Sequence, residues 1–158
     1  RDRIYAAGFS NGAAFALGLA CYQSQNIAAV VSISGSMSPT QEQDCDPQHP
    51  TSVMTIHGTQ DFYFTYQGGY YLSMNAVINY WTLFNQTQTT LPTETVTDTT
   101  NNFIVEKFSF IQGNNGSKVN HFKINGGYHG WFDLDFNGDS TEELIWNFVS
   151  NFDINGAR

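Results

Sequence analysis

Apolar and polar positions fall into blocks that read as strand, helix, strand along most of the chain. Residues 3–7 form a short apolar run that stops at Gly8, as a buried strand would. Residues 11–23 are rich in Ala and Leu, which favour helix. Residues 27–34 (IAAVVSIS) are almost continuously apolar, the pattern of a strand covered on both faces. A polar loop over 36–50 leads to a third strand at 53–57, ending at Gly58. The spacing then predicts a helix over 70–84, with Leu72, Ala76, Tyr80 and Leu83 on one stripe and Trp81 beside it. Residues 85–102, dominated by Thr, Gln and Asn, read as a surface excursion with a short strand at 94–97. Alternation at 103–111 and at 119–124, across a turn at 113–118, predicts a hairpin-like pair. Ser140 and Glu143 form a capping box before a last apolar stripe of Leu144, Ile145, Phe148, Val149 and Phe152. Strand and helix alternate throughout, so the expected fold class is α/β, a mostly parallel sheet flanked by helices.

Composition narrows the functions open to such a fold. The 158 residues are 41% hydrophobic, enough for one packed domain. Fourteen acidic residues against six basic give a net charge of −8. Nothing in that balance could neutralise a run of phosphates, which argues against nucleic acid, and it disfavours an anionic membrane surface. No apolar run reaches the ~18 residues of a membrane span. Cys21 and Cys45 fit no zinc spacing. They are either two buried thiols or one disulfide closing a loop over the 27–34 strand, and the second would imply an oxidising compartment. Asn85-Gln86-Thr87 and Asn115-Gly116-Ser117 match glycosylation acceptors.

Three strand ends carry candidate chemistry. Gly8-Phe9-Ser10-Asn11-Gly12 is a G-x-S-x-G sequence lying between a strand and a helix. That context turns the chain sharply and leaves a serine exposed as nucleophile; a Cβ at either glycine would be expected to collide with its surroundings. The following helix aims its first N–H groups at the site, so the Asn11 N–H is the candidate oxyanion donor. Asp61 follows the 53–57 strand, on the rim where open α/β sheets place their sites. It is the candidate acid that would orient a histidine. His129, in Gly126-Gly127-Tyr128-His129-Gly130, is the candidate general base, freed by glycines on both sides. His57, His121 and His49 read as structural, His57 because it lies too near Asp61 along the chain to be its natural partner. Trp131 and the Phe62, Tyr63 and Phe64 cluster are either walls of an apolar acyl pocket or ordinary packing. The order Ser, Asp, His is that of α/β-hydrolases, and chemistry of this kind calls for no cofactor.

The stretches RIYAAGFSNGAAFALGLAC, VMTIHGTQDFYF and INGGYHGWFDL, with a final IWNFVSNF, resemble the polyhydroxybutyrate depolymerase and feruloyl esterase group of α/β-hydrolases. The resemblance runs from about residue 3 to residue 152. It implies a secreted esterase acting on polyester, or on acyl and feruloyl groups of polysaccharide, with Ser10, Asp61 and His129 as triad. It also implies a cystine between Cys21 and Cys45. Relatives carry further strands, and a second oxyanion donor, ahead of the nucleophile turn. Residues 1–158 are therefore expected to be the C-terminal portion of a single catalytic domain. Where relatives show a Val-Pro-Tyr-like stretch after the acid and Trp-Pro-Gly after the histidine, this chain has Phe62-Tyr63-Phe64 and Trp131-Phe132-Asp133.

Rival readings are a serine peptidase on the same fold, a non-catalytic carbohydrate-binding module, and calcium binding. The last rests on Asp133-Leu134-Asp135-Phe136-Asn137-Gly138-Asp139, which resembles half of an EF-hand loop but would end on Leu144 where a bidentate Glu is needed.

Overall fold

A computed structural model describes residues 2–98 and 100–158. The chain runs β1 (Tyr5–Phe9), α1 (Asn11–Tyr22), β2 (Ala29–Ile33), α2 (Pro39–Gln43), β3 (Ser52–Gly58), α3 (Met74–Asn85), β4 (Gln88–Thr97), β5 (Ile104–Ile111), β6 (Val119–Asn125), β7 (Asp135–Phe136), β8 (Asp139–Ser140), α4 (Thr141–Val149), β9 (Phe152–Asp153) and β10 (Gly156–Ala157). Among the described residues, six strands form the main sheet in the order β1-β2-β3-β6-β5-β4. β1, β2, β3 and β6 are parallel, while β5 and β4 return antiparallel. This is the fold of the α/β-hydrolases.

The two-residue period of the strands divides the core. Ala29, Val31 and Ile33 of β2, Met54 and Ile56 of β3, and Phe122 and Ile124 of β6 pack against Leu144, Phe148 and Val149 of α4. Their neighbours Val30, Val53 and Val119 face the other way, onto Leu17, Ala20 and Cys21 of α1 and Met74, Val77, Ile78 and Trp81 of α3. A sheet covered on both faces demands apolar residues at successive positions, and β2 and β3 are buried along their whole length.

Several expectations are corrected. β1 is half-buried and forms a sheet edge, with β2 beside it. α3 starts four residues later than its periodicity suggests, because Ser73 caps it by accepting from the Ala76 N–H. Its buried face is Met74, Val77, Ile78 and Trp81, and Leu83 is 77% exposed. The expected short strand at 94–97 is the end of a ten-residue edge strand, and α2 interrupts the expected 36–50 loop behind the capping box of Ser38 and Gln41. Asn85 is buried, and its side chain exchanges two hydrogen bonds with the Thr51 backbone, so it offers no free amide for a glycan. Cys21 and Cys45 form a disulfide joining the end of α1 to the loop before β3.

Candidate active site

The strand ends of β1, β2, β3 and β6 meet at one rim of the sheet. At the first of them Ser10 takes φ 57° and ψ −121°, a conformation rare for a residue with a Cβ. A serine before a helix commonly caps it with its hydroxyl. Ser10 makes no such bond; its carbonyl accepts from the Ala13 and Ala14 N–H groups instead, and its Oγ is left for other partners. Gly8 makes the turn sterically possible, since a Cβ there would run into the carbonyl of Gly12. Gly12 itself has open space around its Cβ position, so the expected collision holds for the first glycine of the motif and not for the second. Asn11, the first residue of α1, has an N–H without an intrahelical partner, as an oxyanion donor requires.

At the end of β3, Asp61 is buried. Its Oδ1 accepts from the backbone N–H groups of Tyr63 and Phe64, both at 2.9 Å. Its Oδ2 accepts from His129 Nδ1 at 2.8 Å. Burial alone would raise the carboxyl pKa. Contacts from His57 and His129 and the two backbone N–H groups outweigh it and hold the value at about 2. The group is therefore an anion at neutral pH.

The loop after β6 delivers His129. Gly58 allows it to pass, because a Cβ at Gly58 would strike the carbonyl of Gly127. The Gln60 N–H donates to that carbonyl at 2.9 Å, and Thr59 Oγ1 accepts from the Gly126 N–H at 2.8 Å. On the far side of the histidine, the Ser34 hydroxyl at the end of β2 donates to the Gly130 carbonyl at 2.7 Å. His129 Nε2 then lies 2.9 Å from Ser10 Oγ. Carboxylate, imidazole and hydroxyl thus form one hydrogen-bonded line, with Phe9, Tyr63 and Phe64 rings packed around the imidazole.

A cavity of 270 Å³ opens over this line, walled by Ser10, Asn11, Tyr63, Phe64, Tyr71 and His129. Tyr63 is where the sequence suggests. Trp131 and Phe62 are not among the walls. Trp131 packs on the α4-side core and donates from Nε1 to Glu142 at 3.1 Å, and Phe62 is a mostly exposed ring against Tyr63. Phe132, with φ 61°, turns the chain between His129 and the core.

The family model described as phospholipase/carboxylesterase matches residues 1–98, well over half of the chain. The chain belongs to the phospholipase/carboxylesterase family. No curated protein matches it. The match to the phospholipase/carboxylesterase family spans Ser10 and Asp61 and stops before His129, so the place of the histidine rests on geometry.

Sequence reasoning overlooked three contributors in this family member. Ser34, at the last position of the apolar run 27–34, has a positive φ of 49° and holds the His129 loop. Tyr71, seven residues beyond Phe64, closes the cavity through a ring contact at 4.3 Å. His57, set aside as too close to Asp61, does reach it, with Nε2 3.4 Å from Oδ2. Among the described residues, no group of three His, Cys, Asp or Glu side chains is placed to hold a metal ion. The acidic 133–139 segment is a small hairpin of β7 and β8 rather than half of an EF-hand. Asn137 and Gly138 occupy its turn with positive φ, and Asp135 Oδ1 accepts from the Gly138 N–H.

Proposed function

We propose that the protein is a secreted serine carboxylesterase working by two-step acyl transfer. The observation that carries this reading is the unbroken line Asp61 Oδ2, His129, Ser10 Oγ, with bonds of 2.8 and 2.9 Å. In the first step Ser10 Oγ attacks the ester carbonyl while His129 Nε2 takes its proton. The imidazolium so formed is balanced by Asp61, which stays ionised. The Asn11 N–H donates to the carbonyl oxygen as it gains charge. Collapse of the tetrahedral intermediate expels the alcohol, which takes the proton from His129. Water, activated by the same imidazole, then releases the acid and restores Ser10.

The aromatic walls Tyr63, Phe64 and Tyr71 favour an apolar or aromatic group beside the ester. That agrees with the likeness to polyester and feruloyl esterases, so the substrates proposed are polyesters or acylated polysaccharides. The disulfide supports an oxidising, extracellular setting. The full-length protein that carries these residues should hydrolyse p-nitrophenyl esters and be labelled at Ser10 by a fluorophosphonate. Ser10→Ala should abolish labelling and lower kcat by about a million-fold with the thermal midpoint unchanged. Labelling that persists in Ser10→Ala would overturn the assignment of the nucleophile. Cleavage of peptides without cleavage of esters would overturn the assignment of the bond.

A further inference from the structure

His57 lies behind the triad, at the penultimate position of β3, completely buried. Its Nε2 is 2.7 Å from the Phe64 carbonyl. A carbonyl can only accept, so the ring proton sits on Nε2 and is donated there. The same nitrogen is 3.4 Å from Asp61 Oδ2, a longer and secondary contact with the oxygen that receives His129. The other nitrogen, Nδ1, is buried with no hydrogen-bond partner among the described residues. Burying an imidazole with one bare nitrogen costs free energy that an apolar side chain of similar size would avoid. The ring therefore has to be accounted for by what Nε2 does.

What Nε2 does is fasten the loop that carries the acid. Residues 61–64 form a tight turn in which Asp61 Oδ1 accepts from Tyr63 and Phe64, and the Phe64 carbonyl in turn accepts from His57. Two residues on, the Tyr66 hydroxyl is 2.7 Å from His121 Nε2, and the Tyr66 ring lies edge-on to His57. The back of the loop is thus held by two imidazoles and its front by one, His129. Without His57, the Asp61 carboxylate keeps its two backbone donors but loses the anchor that sets the height of Phe64 and the direction of Oδ2.

We propose that His57 is a positioning residue: through its Nε2–H it fixes the 61–64 turn so that Asp61 Oδ2 meets His129 Nδ1 in line with Ser10. This rests on the esterase reading given above for its kinetic consequence, but not for its structural one.

The test uses three variants of the full-length protein. A Gln amide nitrogen reaches the place of Nε2, an Asn amide falls short of it, and Leu offers no donor. The Nδ1–H of His129, bonded to a carboxylate, should give a far-downfield proton resonance in the wild type. His57→Leu and His57→Asn should shift or lose that resonance and slow fluorophosphonate labelling of Ser10 by about 100-fold, the effect expected of a ~1 Å misplacement. His57→Gln should restore both. The Asn and Gln pair decides the matter even if the Leu variant fails to fold. Folded variants that keep the wild-type resonance and labelling rate would overturn the proposal and reduce His57 to packing. A wild type that shows the resonance yet takes no fluorophosphonate would overturn the esterase reading, while the resonance still reports on His57.

Discussion

Gly8 and Gly12 are the same residue in the same motif, yet they stand in different places. Gly8 is where strand and helix backbones touch, and a methyl group there would force the helix start away from the sheet. Gly12 lies on the first turn of α1 with nothing near its Cβ position and no positive φ. Gly8→Ala should destabilise the fold by about 1–3 kcal/mol, the usual cost of overpacking. It should also slow Ser10 labelling, because the turn that presents Ser10 is displaced. Gly12→Ala should be neutral or stabilising by up to about 1 kcal/mol, through helix propensity alone. Urea unfolding of both variants checks the pair, and equal losses would show that the motif is constrained by something other than backbone contact. At this scale the positions of Ser10, Asp61 and His129 were legible, because each follows an apolar run and has a glycine within three residues. The cavity walls were not. Which rings line a cleft depends on side-chain direction beyond a turn, and the positive φ at Phe132 leaves Trp131 against the core instead of the cleft.

Elements were legible in kind more than in phase. The capping box of Ser140 and Glu143 locates α4 to the residue, since a cap is a local bond between neighbours. α3 carries apolar residues on more than one side, and only the packing of its Val77 and Trp81 in the cluster with Val53 and Val119 of the sheet decides which stripe is buried. The antiparallel return through β5 and β4 was half legible: the hairpin with β6 follows from alternation, while the length of β4 hides in a Thr-rich segment that periodicity reads as polar. One covalent tie joins two of these elements. The disulfide between Cys21 and Cys45 has Cα atoms 4.7 Å apart and a separation of 24 residues. It pins the end of α1 to the loop that also receives the Tyr80 hydroxyl at the Cys45 carbonyl. A loop of that size contributes about 3 kcal/mol by restricting the unfolded chain. Replacing both cysteines by Ala should lower the thermal midpoint by roughly 6–12 °C for a domain of this size. Labelling of Ser10 at 25 °C should persist, because neither cysteine touches the site. A midpoint unaffected by the double substitution or by reductant would refute the tie as a source of stability.

For the whole molecule, stability across pH is governed by a buried polar pair that spans the sheet and the acid loop. His121 on β6 is enclosed between Thr55 Oγ1 and Tyr66 OH, each 2.7 Å away. Burial, with the nearby His57 and the Lys123 charge, lowers the His121 pKa from 6.5 to about 3. Burial, with the Glu106 charge, raises that of Tyr66 from 10.0 to about 12. Both groups are therefore neutral in the folded state and ionise more readily once unfolded. The contribution of His121 is complete above 6.5 and is lost as pH falls from 6.5 through about 3, since the unfolded chain takes up a proton the folded one refuses. The contribution of Tyr66 is complete below 10.0 and is lost as pH rises through about 12, since the unfolded chain releases a proton the folded one keeps. Asp61 has the sign of His121 but a lower window: its contribution is present above 3.8 and lost as pH falls through about 2. Urea midpoints should therefore form a plateau between roughly pH 6.5 and 10, with the acid side declining before ordinary carboxylates begin to titrate. Each group can impose a slope of at most about 1.4 kcal/mol per pH unit. His121→Gln should be less stable on the plateau, having lost the fit to Tyr66 and Thr55, but flatter between pH 6.5 and 4.5. A wild-type midpoint that stays level from pH 6.5 to 4.5, or a His121→Gln profile parallel to it, would mean that the imidazole is not the group through which acid unfolds the protein.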